Sequence, residues 1–410
     1  MPNALVLVIN CGSSSVKFAL YNSQDAANFK PVKLLSEGIA ELRTPAECVI
    51  TIKKGADKEQ IQHEISEQEQ GFHHLAIHQI LKALNNHFRL EDNLVGIGHR
   101  VVHGGQVFQQ SVLIDAKVLS EINNCVALAP LHNPANIIGI EILKESFSEI
   151  PQVAVFDTAF HQTIPARAYT YAIPKEWTRD YQIRRYGFHG TSHRFVAQQA
   201  AFFLEKDINE ASFITAHLGN GASVTAISNG LSVDTSMGLT PLEGLVMGTR
   251  SGDIDPGMFD FLINKGINAE EISKTLNKKS GLLGMSGLSH DMRTICDAAQ
   301  EGNQDAQLAL EVFCYRAAKH IAAMMAGLQQ LDALIFTGGI GENAYLVREM
   351  IIGHLSLLGF KLNKTQNQNA KAKDALAYPI HLQGSHSVLI IPTDEEAMIV
   401  SDTLQLIHGS

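Results

Sequence analysis

The chain is 410 residues long, 45% apolar and 18% charged, with a formal net charge of −10. The composition is that of globular proteins, and the length predicts two or three domains with an ample core. The negative balance argues against nucleic acid or an anionic membrane as a partner.

The first predicted element is a β-hairpin, VLVINCGSSSVKFALY at residues 6–21. Branched and aromatic residues flank its polar turn, as is typical of strands. Gly12 can take the positive φ of a tight turn, and the three serines offer donors that could cradle a phosphate. A plain hairpin with a polar tip is the competing interpretation, because serine and glycine are ordinary turn residues. Lys17 favours the anion site.

Two further stretches repeat the pattern of a strand followed by a glycine turn. They are FITAHLGNGASVTAISNG at 213–230 and ALIFTGGIGEN at 333–343. Aligning Asn10 with His217 places Gly12 on Gly219, which is what two related halves would show. Neither stretch is a P-loop or a GxGxxG fingerprint, so folds built on those motifs are not indicated.

Helical periodicity alternates with strands through both halves of the chain, which predicts the α/β class. Helices are predicted at 71–88, 135–147, 193–205, 258–265, 303–330, 344–357 and 395–407, and strands at 153–156, 213–217, 223–228, 333–337 and 387–391. We expect a first domain at 1–157 and a second at 158–395, with a final helix at 396–410 packing back on the first.

The compartment is predicted from the cysteines and from the absence of targeting signals. Five cysteines without CxxC spacing favour reduced thiols in a cytoplasmic protein. No apolar run reaches the length of a membrane span, and the N-terminal stretch lacks the basic region of a signal peptide.

Three polar residues in the first half could carry chemistry. Arg100 follows an apolar run and could grip a carboxylate or phosphate, although a solvated arginine at a strand end explains it as well. His132 lies in a proline-framed loop and serves either packing or binding. Asp157 follows four apolar residues at a strand end, where ligands of α/β sheets gather, so a functional role is favoured.

The second half offers a similar set. His189 stands between Phe188 and Gly190, where a purely structural role is hard to find. Arg250 lies among small residues. The pair Asp253 and Asp255 could bind a metal, but turn and capping duty before the next helix is the simpler interpretation. The same ambiguity holds for acids 394–396, which suit a helix N-terminus or a cation.

Glycine turns with isolated arginines, histidines and carboxylates fit phosphoryl transfer, in which positioning and charge neutralisation do most of the work. Long motifs along essentially the whole chain resemble those of the acetate kinases, and they occur in the same order as in that family. They are VINCGSSSVK, HRVVHGG, PLHNP, FDTAFH, RRYGFHGTSHR, TAHLGNGAS, MGTRSGDIDPG, SHDMR, TGGIGEN and PTDEE. The resemblance implies two duplicated ribonuclease H-like domains of the actin, Hsp70 and sugar-kinase type, a nucleotide cleft and a homodimer.

The resemblance also implies the cofactors and their ligands. Asn10 and Glu395 would hold Mg²⁺ (or Mn²⁺), beside Asp394, where many members have Asn. ATP or ADP would contact Ser13, Ser15, Lys17, His217, Leu218, Gly219, Asn220, Gly221, Asp291, Met292, Arg293, Gly339, Ile340, Gly341, Glu342 and Asn343.

The remaining roles implied by the resemblance concern the substrate and the reaction. Arg100 would hold the carboxylate, Asp157 would orient the substrate and the arginine, and His132 would assist binding. His189 and Arg250 would stabilise an in-line transition state. A small apolar pocket would consist of Val102, Leu131, Phe188 and Pro241. The expected reaction is reversible transfer from ATP to acetate; a propionate kinase and a non-catalytic ATP-binding member of the fold are the alternatives.

Overall fold

The computed structural model describes residues 4–23, 32–44, 47–55, 57–65, 71–370 and 375–409. Their contacts group the chain into two compact units: Met1–Ala159 with Asp394–Ser410, and Phe160–Thr393. The first unit is therefore discontinuous in sequence. Its last segment follows the whole second unit.

A mixed sheet of eight strands forms the centre of the first unit, in the order β5-β4-β3-β2-β1-β6-β8-β7. The strands are β1 Leu5–Cys11, β2 Ser15–Asn22, β3 Lys33–Thr44, β4 Glu47–Lys54, β5 Asp57–Glu64, β6 Leu94–Val101, β7 Val112–Leu113 and β8 Gln152–Phe156. Strands β1 to β5 form an antiparallel meander, whereas β1, β6 and β8 are parallel. The carboxyl ends of these three parallel strands therefore meet at one edge of the sheet.

Helices cover both faces of this sheet. They are α1 Phe72–Phe88, α2 Leu90–Asn93, α3 Ala116–Asn124, α4 Asn133–Ser146 and the C-terminal α16 Glu395–His408. Along β1, the odd residues join a core with α1 and α4, and the even residues join a core with α16. Burial on both faces explains why β1 is apolar without a polar alternation. Gly98 lets α16 approach β6, because a Cβ there would lie 2.4 Å from Ile399 Cγ2.

The second unit contains a six-stranded sheet in the order β11-β10-β9-β12-β14-β13. The strands are β9 Ser212–Leu218, β10 Ala222–Ser228, β11 Leu231–Thr235, β12 Ala333–Thr337, β13 Tyr378–Pro379 and β14 Val388–Ile390. Strands β9, β10 and β11 are antiparallel, and β9, β12 and β14 are parallel. The order repeats that of β3, β2, β1, β6 and β8, which confirms the prediction of two related α/β sheets.

Eleven helices of the second unit lie among the described residues. They are α5 Ala166–Tyr169, α6 Lys175–Tyr181, α7 Gly190–Phe203, α8 Gly257–Asn264, α9 Ala269–Lys278, α10 Gly281–Ser286, α11 Met292–Gln300, α12 Gln304–Met324, α13 Gly338–Asn343, α14 Tyr345–His354 and α15 Lys364–Asn369. Helix α7 buries Val196 and Ala200 against Phe213 and Ile335 of the sheet. Helix α12 packs near β10 and β9.

The structure differs from the sequence-based elements mainly at short helices. Helix α9 was not predicted, whereas α11 begins at Met292, within the stretch 290–293 that the sequence predicts as a helix start. Asn268 Oδ1 accepts from Glu271 N at 2.8 Å, and Asp291 Oδ1 accepts from Arg293 N at 2.8 Å. Helix α12 ends at Met324, earlier than expected, where a 3₁₀ turn continues over Met325–Gly327. Among the described helices, none is both long enough and apolar enough to cross a bilayer.

Candidate functional site

The parallel strands of the first unit bring Asn10, Arg100 and Asp157 together at their carboxyl ends. Arg100 Nε donates to Asp157 Oδ1 at 2.9 Å, and Nη2 donates to Oδ2 at 2.5 Å. Nη1 donates to Asn10 Oδ1 at 3.3 Å. Glu395, the first residue of α16, places Oε2 3.7 Å from Nε of Arg100. We call these four residues the arginine cluster.

The charges of the arginine cluster are unbalanced toward the negative. Burial opposes the charged guanidinium, but Asp157 and Glu395 outweigh it and raise the pKa of Arg100 above its usual value. Burial of Glu395, opposed by Arg100 and reinforced by the charge of Asp157, raises the pKa of that carboxyl. Two carboxyls thus share one guanidinium, and an added cation would stabilise the ionised form of Glu395.

The turn of the first hairpin lies beside the arginine cluster, because Lys17 is the cross-strand partner of Asn10. Gly12 N donates to Ser15 O at 2.7 Å, which closes the turn. The positive φ considered for Gly12 is not used, since Gly12 is absent from the positive-φ glycines. What Gly12 supplies is space, as a Cβ there would lie 3.2 Å from Ser15 Oγ. Ser13 and Lys17 are exposed, so their side chains are accessible at this edge.

Two buried asparagines that the sequence analysis missed hold this edge in place. Asn136 accepts from Val102 N at 3.1 Å and donates to Cys11 O at 2.7 Å, which ties the ends of β1 and β6 together. Asn133 exchanges two hydrogen bonds with the backbone of His103. Both follow His132 in the PLHNPAN stretch, and amides spaced three apart at a helix start were the available signal. His132 occupies the N-cap position of α4.

In the second unit, His189 has an unusual backbone. Its φ of 58° and ψ of 26° place it in the left-handed region, immediately before α7. Non-glycine residues in this region are uncommon and concentrate at functional sites. The His189 ring stacks on His217 of β9 with 4.5 Å between centroids.

The glycine turn between β9 and β10 brings His189 and Arg250 together. A Cβ added at Gly221 would lie 3.2 Å from Nε2 of His189 and 3.7 Å from Nη1 of Arg250. Both donor groups therefore border the same small space above Gly221. Asn220 O accepts from Gly248 N at 3.0 Å, which joins this turn to the loop that carries Arg250.

A half-buried polar anchor, also missed from sequence, fixes the loop that precedes Arg250. Glu243 accepts from Arg185 Nη2 at 2.7 Å and from the hydroxyl of Tyr171. Further along, Arg250 Nη1 donates to Pro241 O at 2.9 Å and contacts Met247 Sδ at 3.5 Å. The guanidinium is thereby oriented by the loop that contains it.

His217 has its own hydrogen-bond partners. Its Nδ1 lies 2.8 Å from Ser192 Oγ, which also lies 2.8 Å from Thr393 Oγ1. Thr393 N donates to Glu342 Oε1 at 3.2 Å, and Gly338 N donates to the same oxygen at 3.0 Å. The glycine turns after β9 and β12 are therefore linked through a short polar network.

The other residues assigned to the nucleotide lie at two helices of this unit. Asp291 caps α11 and pairs with Arg293 Nη2 at 2.7 Å on an exposed surface, whereas Met292 is buried. In α13, Asn343 Nδ2 donates back to Gly339 O at 2.9 Å. Thus Asp291, Glu342 and Asn343 already have intramolecular partners.

The proposed apolar pocket residues are divided between the units. Val102 and Leu131 belong to the first unit, and Phe188 and Pro241 to the second. Val102 and Phe188 are buried, whereas Leu131 is 56% exposed.

Several acidic residues have structural roles. Asp253 accepts from Gly244 N at 2.7 Å and lies 3.1 Å from His320 Nε2, and Asp255 accepts from Gly257 N at 2.9 Å. Asp255 therefore serves the start of α8, whereas Asp253 ties its loop to Gly244 and His320, so both aspartates have structural partners. Asp394 accepts from Ala397 N at 2.8 Å and caps α16, a role that Asn fills equally well.

No cluster of three or more His, Cys, Asp or Glu suited to a metal lies within the part of the chain that the structure describes. The chemistry of the arginine cluster still fits Mg²⁺, which usually takes one or two protein oxygens and completes its shell with phosphate and water. Asn10 supplies a neutral oxygen and Glu395 a carboxylate at the negative end of the cluster.

Comparison with known proteins gives a consistent result. The model of the "Acetokinase family" matches residues 5–401. The acetate kinase of Stutzerimonas stutzeri is 50% identical over 409 residues, which cover 98% of this chain and 99% of that protein. The crystal structure of Porphyromonas gingivalis acetate kinase has a TM-score of 0.89 at 40% identity, covering 98% of this chain and 100% of its own. A propionate kinase structure from Francisella tularensis has a TM-score of 0.90 at 47% identity, with the same coverage.

Proposed function

Because the chain belongs to the acetokinase family and is an ATP-dependent kinase that acts on a carboxylate, we propose that it transfers the γ-phosphoryl group of ATP reversibly to acetate, giving acetyl phosphate and ADP. The observation that carries the proposal is the guanidinium of Arg100, held by both oxygens of Asp157 at a sheet edge. A carboxylate acceptor needs such a cation, because both reactants are anions.

The hydrogen bonds of Arg100 indicate how acetate would bind. Asp157 takes the Nε and Nη2 side of the guanidinium, and Asn10 takes one N–H of Nη1. One N–H on each of Nη1 and Nη2 remains at the end of the planar fork, which matches the two oxygens of a second carboxylate. The acetate oxygen needs no general base, since acetate is ionised at neutral pH. Asp157 therefore orients Arg100 instead of removing a proton.

Charge that develops on the transferred phosphoryl group requires donors. We assign this role to His189 and Arg250, whose nitrogens border the space above Gly221. Each preorganised donor of this kind is worth about 10²–10³ in turnover. His132 would assist binding at the N-terminal end of α4.

Mg²⁺ bound with the nucleotide would neutralise phosphate charge. Asn10 and Glu395 would hold it, directly or through water. The serine turn at residues 13–15 and Lys17 would face the phosphates, and the turns at 217–221 and 339–343 with residues 291–293 would contact ATP or ADP. The side chains of Glu342 and Asn343 already form hydrogen bonds within the protein. The nucleotide would therefore contact mainly the backbone of residues 339–343.

A propionate kinase is the second candidate, which the Francisella neighbour favours. One methylene changes discrimination by only about 1–3 kcal/mol, so both acids can be substrates. We propose acetate as the preferred substrate, with Val102 limiting the size of the acyl group in the first unit. Higher kcat/KM for propionate than for acetate would reverse this preference, and Val102→Ala is expected to shift the ratio toward propionate.

The apolar surface of α8 supports the proposal of a homodimer. This helix buries none of its residues, and Phe261 and Ile263 are 61% and 46% exposed. Such a surface on a globular protein is typical of an interface. Sedimentation should give twice the chain mass, and Phe261→Glu should lower the measured mass toward that of the monomer. A Phe261→Glu protein that remains dimeric would show that the interface does not include α8.

The five cysteines are free thiols, which supports a reducing cytoplasm as the compartment. Cell fractionation checks this proposal.

Trapping of the acyl phosphate tests the central proposal. Purified protein with ATP, Mg²⁺, acetate and hydroxylamine should form acetohydroxamate in step with ADP. A non-catalytic ATP-binding protein of the same fold would bind ATP and form no hydroxamate. Asp115→Asn, an exposed cap of α3, serves as a matched carboxylate control for variants of Asp157.

A further inference from the structure

A chain of hydrogen bonds leads from His189 into the core of the second unit. His189 Nδ1 lies 2.9 Å from Ser223 Oγ, and the same oxygen lies 2.7 Å from His193 Nε2. His193 Nδ1 lies 2.6 Å from Thr215 Oγ1. Ser223, His193 and Thr215 are all fully buried.

Proton counting restricts this chain to two directions. Burial, with smaller contributions from His161 and His217, lowers the pKa of His193 well below its usual value, so that its ring is neutral. A neutral imidazole donates from one nitrogen and accepts at the other, and a hydroxyl has one proton. Either Thr215 donates to His193, His193 to Ser223 and Ser223 to His189, or every bond is reversed and the Thr215 hydroxyl donates instead to Thr225 O, 3.5 Å away.

The first direction leaves Nδ1 of a neutral His189 as an acceptor and places its proton on Nε2. The second places the proton on Nδ1 and leaves a lone pair on Nε2. Nε2 borders the space above Gly221, which the guanidinium of Arg250 also borders. A lone pair there would repel the oxygens of a phosphoryl group.

We propose that Ser223, His193 and Thr215 are positioning residues that keep neutral His189 in the Nε2–H tautomer, so that Nε2 donates to the transferred phosphoryl group. This inference rests on the proposed role of His189. The direction of these hydrogen bonds is reversible. When His189 gains a proton from solvent, both of its ring nitrogens donate, and the donor and acceptor exchange roles in each of the three bonds. The tautomer therefore matters only while the His189 ring is neutral.

The groups that face His189 come from three elements. His193 of α7 meets it through Ser223, His217 of β9 stacks on its ring, and Arg250 shares the space at Gly221. His161 is one ring further away, 5.8 Å from His193 between centroids. The second direction has one support, since it frees the Thr215 hydroxyl to donate to Thr225 O at 3.5 Å. That bond is much longer than the 2.6 Å between Thr215 Oγ1 and His193 Nδ1, and an anion at Nε2 opposes it further.

The first experiment compares Ser223→Ala with Thr225→Val over about pH 5.5–8.5. Thr225 is a buried residue two positions along the same face of β10, and its hydroxyl lies 2.9 Å from Thr235 Oγ1. It meets the hydrogen-bond chain through its backbone oxygen, 3.5 Å from Thr215 Oγ1, and valine keeps that oxygen. We expect Ser223→Ala to lose about 10-fold to 100-fold in kcat at the alkaline end, much less at the acidic end, and little in KM. Thr225→Val should lose the same small factor at every pH. A Ser223→Ala loss that does not change with pH would overturn the proposal.

The second experiment reads the tautomer directly. Ring ¹⁵N spectra of the full chain with ADP and Mg²⁺, assigned with His189→Asn, should show His189 protonated on Nε2 at alkaline pH. A proton on Nδ1 overturns the proposal, whatever the activity and whether or not Ser223→Ala folds. Wild-type kcat in His189→Asn would instead remove the proposed role of His189, which separates that failure from failure of the hydrogen-bond chain.

Discussion

Asp157 holds the guanidinium of Arg100 with both carboxylate oxygens, at 2.9 Å from Nε and 2.5 Å from Nη2. Asp157 is 1% exposed, and its backbone N–H donates to Val101 O at 3.0 Å. The carboxylate is therefore rigid, and Arg100 is oriented before any substrate arrives. Preorganisation of this kind lowers the free energy needed to align the reacting anions.

Asp157→Asn tests this orientation. The amide can accept one N–H of Arg100, but its NH₂ group then faces the other, so the bidentate pair is lost. We expect kcat to fall by about 10²-fold, with a smaller rise in KM for acetate. Steady-state kinetics measure both, beside the control Asp115→Asn. A drop confined to protein yield, with normal kcat, would contradict the role.

Arg250→Ala removes a donor at the space above Gly221. Turnover should fall by about 10²–10³, the usual size for one transition-state donor, while nucleotide affinity changes little. The matched control is Arg179→Ala, an exposed arginine that pairs with its neighbour Asp180 at 2.6 Å. Near-normal kcat in Arg250→Ala would remove Arg250 from the site.

Glu395→Gln tests the metal assignment. The substitution keeps the size of the side chain but removes the carboxylate that balances a cation beside Arg100. We expect the Mg²⁺ concentration for half-maximal activity to rise by about 10-fold or more. Glu396→Gln, in the same first turn of α16, should leave it close to wild type. Equal Mg²⁺ dependence of the two variants would contradict the assignment. Chelation of the metal should abolish turnover in the wild type.

Buried histidines predict the pH dependence of stability. Burial lowers the pKa of His99 and of His161 to about 4, below the value of about 6.5 in unfolded chains. Between these values the unfolded state binds the extra protons, so the free energy of unfolding falls as the pH falls. Each histidine contributes up to about 1.4 kcal/mol per pH unit in this window.

The variant His99→Gln isolates one of these contributions and keeps a polar partner for Gln152, which lies 2.7 Å from His99 Nε2. Urea denaturation at several pH values between about 4.5 and 6.5 should give a slope shallower than that of the wild type by up to about 1.4 kcal/mol per pH unit. His78→Gln, at an exposed position of α1, should retain the wild-type slope. An unchanged slope in His99→Gln would contradict the buried neutral state.

Local sequence patterns predicted much of the architecture. Apolar runs and glycine turns indicated the hairpins at 6–21 and 213–230, and α1 and α16 begin within one residue of their predicted starts. Several short helices were not predicted, because a cap and one helical turn carry little periodic signal. The sequence also did not predict the structural roles of Asn133 and Asn136, since a buried amide cannot be told from a loop residue until its backbone partners are known.

The sequence by itself determined the α/β class, the related halves and the family, because strand periodicity, turn residues and long motifs are local properties of the chain. Only the tertiary structure decided that Asp157 holds Arg100, that Asp394 is a cap, and that Ser223 and His193 stand behind His189. These relationships join residues from different strands and helices. Burial and hydrogen-bond geometry, which set tautomers and charges, exist only once those elements have packed.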